Sequence, residues 1–158
     1  MATPSELKAE SQSNSAIEID GDSDTLLGLL DQSTSVNPPM IRDWAMANAI
    51  LELGARYQFE YLPRVVSQNL ELCVQRSGPN VFAFASQHDF ESLARSAIAG
   101  SDYSGWYGMA IKGLVDSDVK GASLNYVLAL VRAMRSSEID SSGRVDWQSA
   151  ARDFRIIR

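Results

Sequence analysis

The chain has 158 residues, 45% hydrophobic and 22% charged, which suits one globular domain able to bury its own core without covalent staples. One cysteine, Cys73, and one histidine, His88, exclude an internal disulfide framework and a His/Cys zinc cluster, which needs about four ligands. Fourteen basic residues against twenty acidic ones, a formal charge of −6, argue against nucleic acid as partner, and no stretch reaches the ~18 apolar residues of a membrane span.

Residues 1–14 are polar, rich in Ser and Glu, and read as a disordered tail; residues 15–158 read as a single domain. The opening "MATPSELKAESQSNS" lacks a basic start and an apolar segment, so it is no secretory signal, and an intracellular protein, cytoplasmic or nuclear, is expected. "AIEI" suits a short strand with Ile17 and Ile19 on one face. After it, Asp22 or Ser23 caps a helix with apolar positions Leu26, Leu27, Leu29 and Leu30. "DQSTSVNPPM" ends that helix as a loop.

From Met40 onward the pattern is helical. "IRDWAMANAILELGARYQF" places Trp44, Ala47, Leu51 and Ala55 on one face, widened by Met46, Ile50, Leu53 and Tyr57. "EYLPRVVSQNLELCVQR" repeats the pattern through Leu62, Val66, Leu70 and Cys73, with Pro63 in the first turn. "SGP" then punctuates. Two short helices follow, "NVFAFASQH" and "DFESLARSAIAG", the second with Asp89 as cap and Gly100 as stop. The glycine-rich "SDYSGWYGMAIKGLVDSDVKGAS" is less regular. A stronger helix carries Leu124, Val127, Leu128 and Val131, and a terminal helix turns Trp147, Ala151 and Phe154 inward. The predicted fold class is mainly α, an array of about seven helices with at most one short N-terminal strand.

Two acidic stretches invite a calcium reading. In "DGDSDTLLGLLD", Asp20, Asp22 and Asp24 occupy the first three ligand positions of a calcium loop, but Thr25 stands where glycine is required and Asp31 where a bidentate Glu belongs. In "EIDSSGRVDWQS", Glu138, Asp140, Ser142 and Asp146 supply oxygens around Gly143, but Ser149 replaces the closing Glu. The opening acids read better as a turn and helix cap, with negative charge at the positive end of the helix dipole. No metal and no cofactor is therefore expected, and a degenerate calcium-binding or helix-binding protein is the alternative.

Catalytic constellations are absent from the sequence. His88 beside Asp89 is an adjacency rather than a dyad, and no G-x-S-x-G, P-loop or G-x-G-x-x-G motif occurs. Cys73 on an apolar helix face reads as a buried structural thiol. The aromatics Trp44, Trp106, Tyr107 and Trp147 read as core or junction residues, with "DYSGWYG" as a possible binding lip.

The order of these pieces resembles the second half of a BTB/POZ domain. The stretch Leu53, Gly54, Ala55, Arg56, Tyr57, Gln58 is similar to that family's "LA-x-KY" segment, followed by the face Leu62, Val66, Leu70. Val81, Ala83 and Ala85, then Leu93, Ala94, Arg95 and Ala97, resemble the helical extension of fungal BTB-containing proteins, and so does the helix at 124–134. The resemblance covers roughly residues 16–136 and consists of hydrophobic patterns. The family's opening strands and "H-K-x-x-L" helix have no counterpart before Ala16. The resemblance implies a non-enzymatic protein-interaction adaptor. Its partner would be another protein or a second copy of itself, with no nucleic acid, membrane or small-molecule substrate in view. Leu26, Leu30, Trp44 and Leu51 are expected to border the partner surface.

Overall fold

The computed structural model describes residues 21–100, 119–139 and 145–157. Seven helices run through them: α1 (Ser23–Thr34), α2 (Trp44–Arg56), α3 (Leu62–Gln68), α4 (Glu71–Gln87), α5 (Glu91–Ala99), α6 (Leu124–Ser136) and α7 (Trp147–Asp153). The only β contact among the described residues is an isolated antiparallel bridge between Ile139 and Val145. The fold is mainly α, as the periodicity predicts. The polar tail expected at 1–14, the strand expected at 16–19 and the aromatic stretch at 102–108 lie outside the described residues. No helix among the described residues is long and apolar enough to cross a membrane.

Three helix starts follow side-chain capping chemistry. Asp22 is the N-cap of α1, accepting from the Thr25 N–H at 2.8 Å and from the Thr25 hydroxyl at 2.6 Å. Asp43 caps α2 through the Met46 N–H, and Asp146 caps α7 through the N–H groups of Gln148 and Ser149. Pro63 sits in the first turn of α3, where a missing N–H removes no helical bond.

Several helix ends depart from the sequence reading. The helix expected to run through Phe59 stops at Arg56, because Gln58 adopts φ +61° and the Phe59 N–H turns back to the Gly54 carbonyl at 2.8 Å. The same closure ends α4: Asp89 has φ +56° and the Phe90 N–H reaches the Ala85 carbonyl at 2.8 Å. Both are Schellman closures with a non-glycine residue in the left-handed position and a phenylalanine after it. Asp89 thus terminates α4 rather than capping α5, and its carboxylate accepts from the Tyr126 hydroxyl at 2.9 Å. The single helix expected across residues 60–76 is divided at Asn69 and Leu70 into α3 and α4. What was expected as two elements around "SGP" is one helix kinked at Ser77, just before Pro79.

A buried polar knot explains the break at Asn69. The Asn69 amide donates to the Gln32 side-chain oxygen (3.0 Å) and to the Val65 carbonyl (3.1 Å), while Gln32 donates to the Pro39 carbonyl (2.8 Å). The Ile41 N–H donates to the Asn69 carbonyl (3.0 Å), and the Cys73 thiol points at the Ile41 carbonyl (3.4 Å). Gln32 is buried, so this pairing is what makes its burial tolerable. It ties the end of α1 and the following loop to the α3–α4 junction.

The core centres on the second half of α4. Phe82 meets Tyr126 of α6 and Phe154 beyond α7 at 6.1 and 6.0 Å between ring centroids, and Tyr126 meets Phe154 at 5.8 Å. Trp147, Ala151 and Phe154 are buried as expected. α6 turns the opposite way from the sequence reading: Tyr126, Ala129, Leu130 and Ala133 face the core, and Leu124 and Leu128 face outward. Tyr126 decides this, because its ring completes the aromatic triad and its hydroxyl finds Asp89.

Candidate interaction surface

α1 carries leucines at 26, 27, 29 and 30, which spread around more of the helix than one neighbour can cover. Its buried line is Thr25, Leu29 and Gln32. Leu26 is half-buried at the edge of the core, while Leu27 and Leu30 are 59% and 47% exposed. The close approach of α1 to α2 is set by Gly28, where a Cβ would stand 2.7 Å from the Ile50 side chain.

On one flank of that contact runs a groove of about 350 Å³. Leu27, Met46 and Ile50 supply its apolar lining, and Asp24, Asp31 and Asp43 stand along it with Arg42. A second groove of about 290 Å³ lies between α2 and α4, lined by Trp44, Leu51, Phe84 and His88 with the amides of Asn48 and Asn80. Its aromatic wall is continuous: Trp44 to Phe84 is 5.9 Å, Phe84 to His88 4.7 Å, and His88 stacks on Phe90 at 5.8 Å. Desolvation against these rings holds the His88 imidazole below its usual pKa and favours the neutral form.

The four residues expected to border a partner surface therefore fall into two places. Leu26 and Leu30 sit on α1; Trp44 and Leu51 sit in the α2–α4 groove. Two features were not singled out from sequence as surface: Leu27, the most exposed of the four α1 leucines, and the outward Leu124 and Leu128 of α6. Leucines at both i and i+1 on a short helix are the available signal for the first, since adjacent positions point about 100° apart.

Two acids of the calcium reading have other partners. Asp22 is committed to Thr25, which holds its carboxyl below the ordinary carboxylate range. Asp146 caps α7, and its N–H donates to the Glu138 carbonyl at 2.9 Å. Asp20, Asp140 and Ser142 lie outside the described residues. Among the described residues no group of three His, Cys, Asp or Glu side chains converges. Cys73 is fully buried, and burial, reinforced by the charge of Asp43, pushes its thiol up to about 11. Glu91 and Arg95 form an ion pair one turn apart on α5. Compared with protein-family models, with curated proteins and with solved structures, the chain matches none of them.

Proposed function

We propose that this chain is a non-enzymatic protein-interaction module, a divergent BTB-like adaptor that works by presenting the α1–α2 edge to another protein. The observation that carries this reading is the exposure of Leu27 and Leu30 on a helix whose core contacts are already complete through Thr25, Leu29 and Gln32. Large apolar side chains clustered beside a groove are the usual mark of a docking surface. Nearby Trp44 and Leu51 add a second apolar lining of the kind that receives side chains of a partner. The helical order behind the BTB resemblance supports the adaptor reading.

The test is site-specific photo-crosslinking. A photo-reactive amino acid replaces Leu30 or, separately, Leu51 in the full chain within its native cells. Discrete protein adducts from these positions, lost when Leu27→Glu is added, are the expected result. An absence of any adduct, from another protein or from a second copy, sinks the reading.

A further inference from the structure

We propose that a second copy of this chain docks the outward face of its α6 into the acid-rimmed groove between α1 and α2. This rests on the interaction-module reading and names the partner.

Two surfaces of the molecule are complementary in both shape class and charge. The groove is concave, with Leu27, Met46 and Ile50 as its apolar lining and Asp24, Asp31 and Asp43 beside them. The outer face of α6 is convex, with Leu124 and Leu128 exposed at 69% and 43% and Val127 and Val131 half-buried alongside. These four positions follow the i, i+3, i+4, i+7 spacing of a helix seated in a groove. They lie opposite the inward residues Tyr126, Ala129, Leu130 and Ala133, so α6 is apolar on two sides.

Charge selects the pairing. Residues 21–43 hold Asp22, Asp24, Asp31 and Asp43 against Arg42 alone, whereas residues 119–137 hold Lys120, Arg132 and Arg135 and no acid. Arg132 stands one turn beyond Leu128 and Arg135 one turn beyond Val131, both exposed, so the basic groups continue the apolar stripe. Burial of the leucines supplies the attraction and the charges choose the partner face.

Within one chain the contact is closed off, because Tyr126 pins α6 to Phe82 and Phe154 and leaves its outer face directed away from the core. The two docking faces differ, so a single contact leaves each copy one unused groove or helix face, which extends the assembly head-to-tail unless a two-fold axis lets both faces engage at once. Association is weak and concentration-dependent, open-ended in the first geometry and dimeric in the second.

The experiment is light scattering on the purified full chain, with two charge-reversed variants and their mixture. Wild type is expected to gain mean mass with concentration and to lose part of that gain as salt rises from ~0.05 M to ~0.5 M, because only the charge contribution is screened. Asp24→Lys/Asp31→Lys removes the groove, and Arg132→Glu/Arg135→Glu removes the helix face; each alone is expected to be monomeric, with helical circular dichroism unchanged. Asp24→Lys alone, at an exposed position, serves if the double groove variant is not folded.

Mixing decides the geometry. Two copies of each variant kind cannot pair by the proposed contact, and the mixture joins two reversed faces or two native ones. The native groove of the Arg132→Glu/Arg135→Glu chain accepts the native α6 of the Asp24→Lys/Asp31→Lys chain, and the two reversed faces are complementary as well, so the mixture is expected to associate through contacts that alternate the two variants. Placing all four substitutions in one chain restores association. A mixture that stays monomeric, or a groove variant that associates as wild type does, overturns the proposal. A wild-type chain that is monomeric at every concentration overturns it too. In that case adducts to a different protein from positions 30 or 51 leave the interaction-module reading standing, and their absence removes both.

Discussion

The second half of α4 and the whole of α1 are built from similarly apolar sequence and end in opposite situations. Val81 to Ser86 are buried without interruption, enclosed by α5, α6 and the segment after α7. α1 buries three of its twelve residues and turns two leucines outward. A helix surrounded on every side loses its need for a polar face, whereas a helix at the edge can hide only one stripe. The centre therefore carries the stability of this molecule and the edge carries its available surface.

The strongest way to break that contrast is at Phe82. Phe82→Ala removes a fully buried ring between Tyr126 and Phe154 and should cost about 3–5 kcal/mol, read as a fall in the denaturation midpoint. A cost below ~1 kcal/mol would remove the centre from its role.

The inner side of the edge is next. At Gly54 an added methyl would overlap the Leu62 side chain, so Gly54→Ala should destabilise by roughly 1–2 kcal/mol after the helix-propensity gain is offset. A stabilised variant would mean that α1 and α3 are loosely seated.

Alkaline pH probes the seam between the two regions. The Cys73 thiol is pushed above its ordinary value of 9.0 to about 11, so the unfolded chain ionises first as pH rises. The unfolded state then holds fewer protons, and stability is full below pH 9.0 and falls by roughly 1–2 kcal/mol toward pH 11. Denaturant titrations of wild type and Cys73→Ala across that window should differ in slope, the variant lacking this part of the decline.

Two smaller effects sharpen the picture. Gln58 holds a left-handed conformation that glycine adopts without strain, so Gln58→Gly should raise stability by up to ~1 kcal/mol in thermal unfolding. Leu27→Ser should change stability by less than ~0.5 kcal/mol, because the side chain is mostly in water already. A loss comparable to that at Phe82 would show that Leu27 is core, and the edge would cease to be a docking surface.

Much of the fold was legible because local chemistry dictated it. Asp22 before a leucine run has a side chain that satisfies nearby N–H groups, and Pro63 at a helix start lacks an N–H that would have gone unpaired, each a matter of a few residues. The burial of Cys73, Trp147 and Phe154 followed from helical spacing. The closures at Gln58 and Asp89 were not legible, since the usual glycine is absent and the partner carbonyl lies five residues back. The candidate surface was legible only in part. Leu30, Trp44 and Leu51 were named, but their division between two grooves was not.

The sequence by itself determined an all-helical chain, the positions of most helix starts and the residues available for burial, because these depend on propensity, capping and periodicity within about one turn. Only the tertiary structure decided which apolar face of α6 went inside. Leu124, Val127, Leu128 and Val131 make as good a stripe as Tyr126, Ala129, Leu130 and Ala133 when α6 is considered alone. The choice fell to the second because Tyr126 completes a ring cluster with Phe82 and Phe154 and a hydrogen bond with Asp89, partners 28 to 44 residues away along the chain.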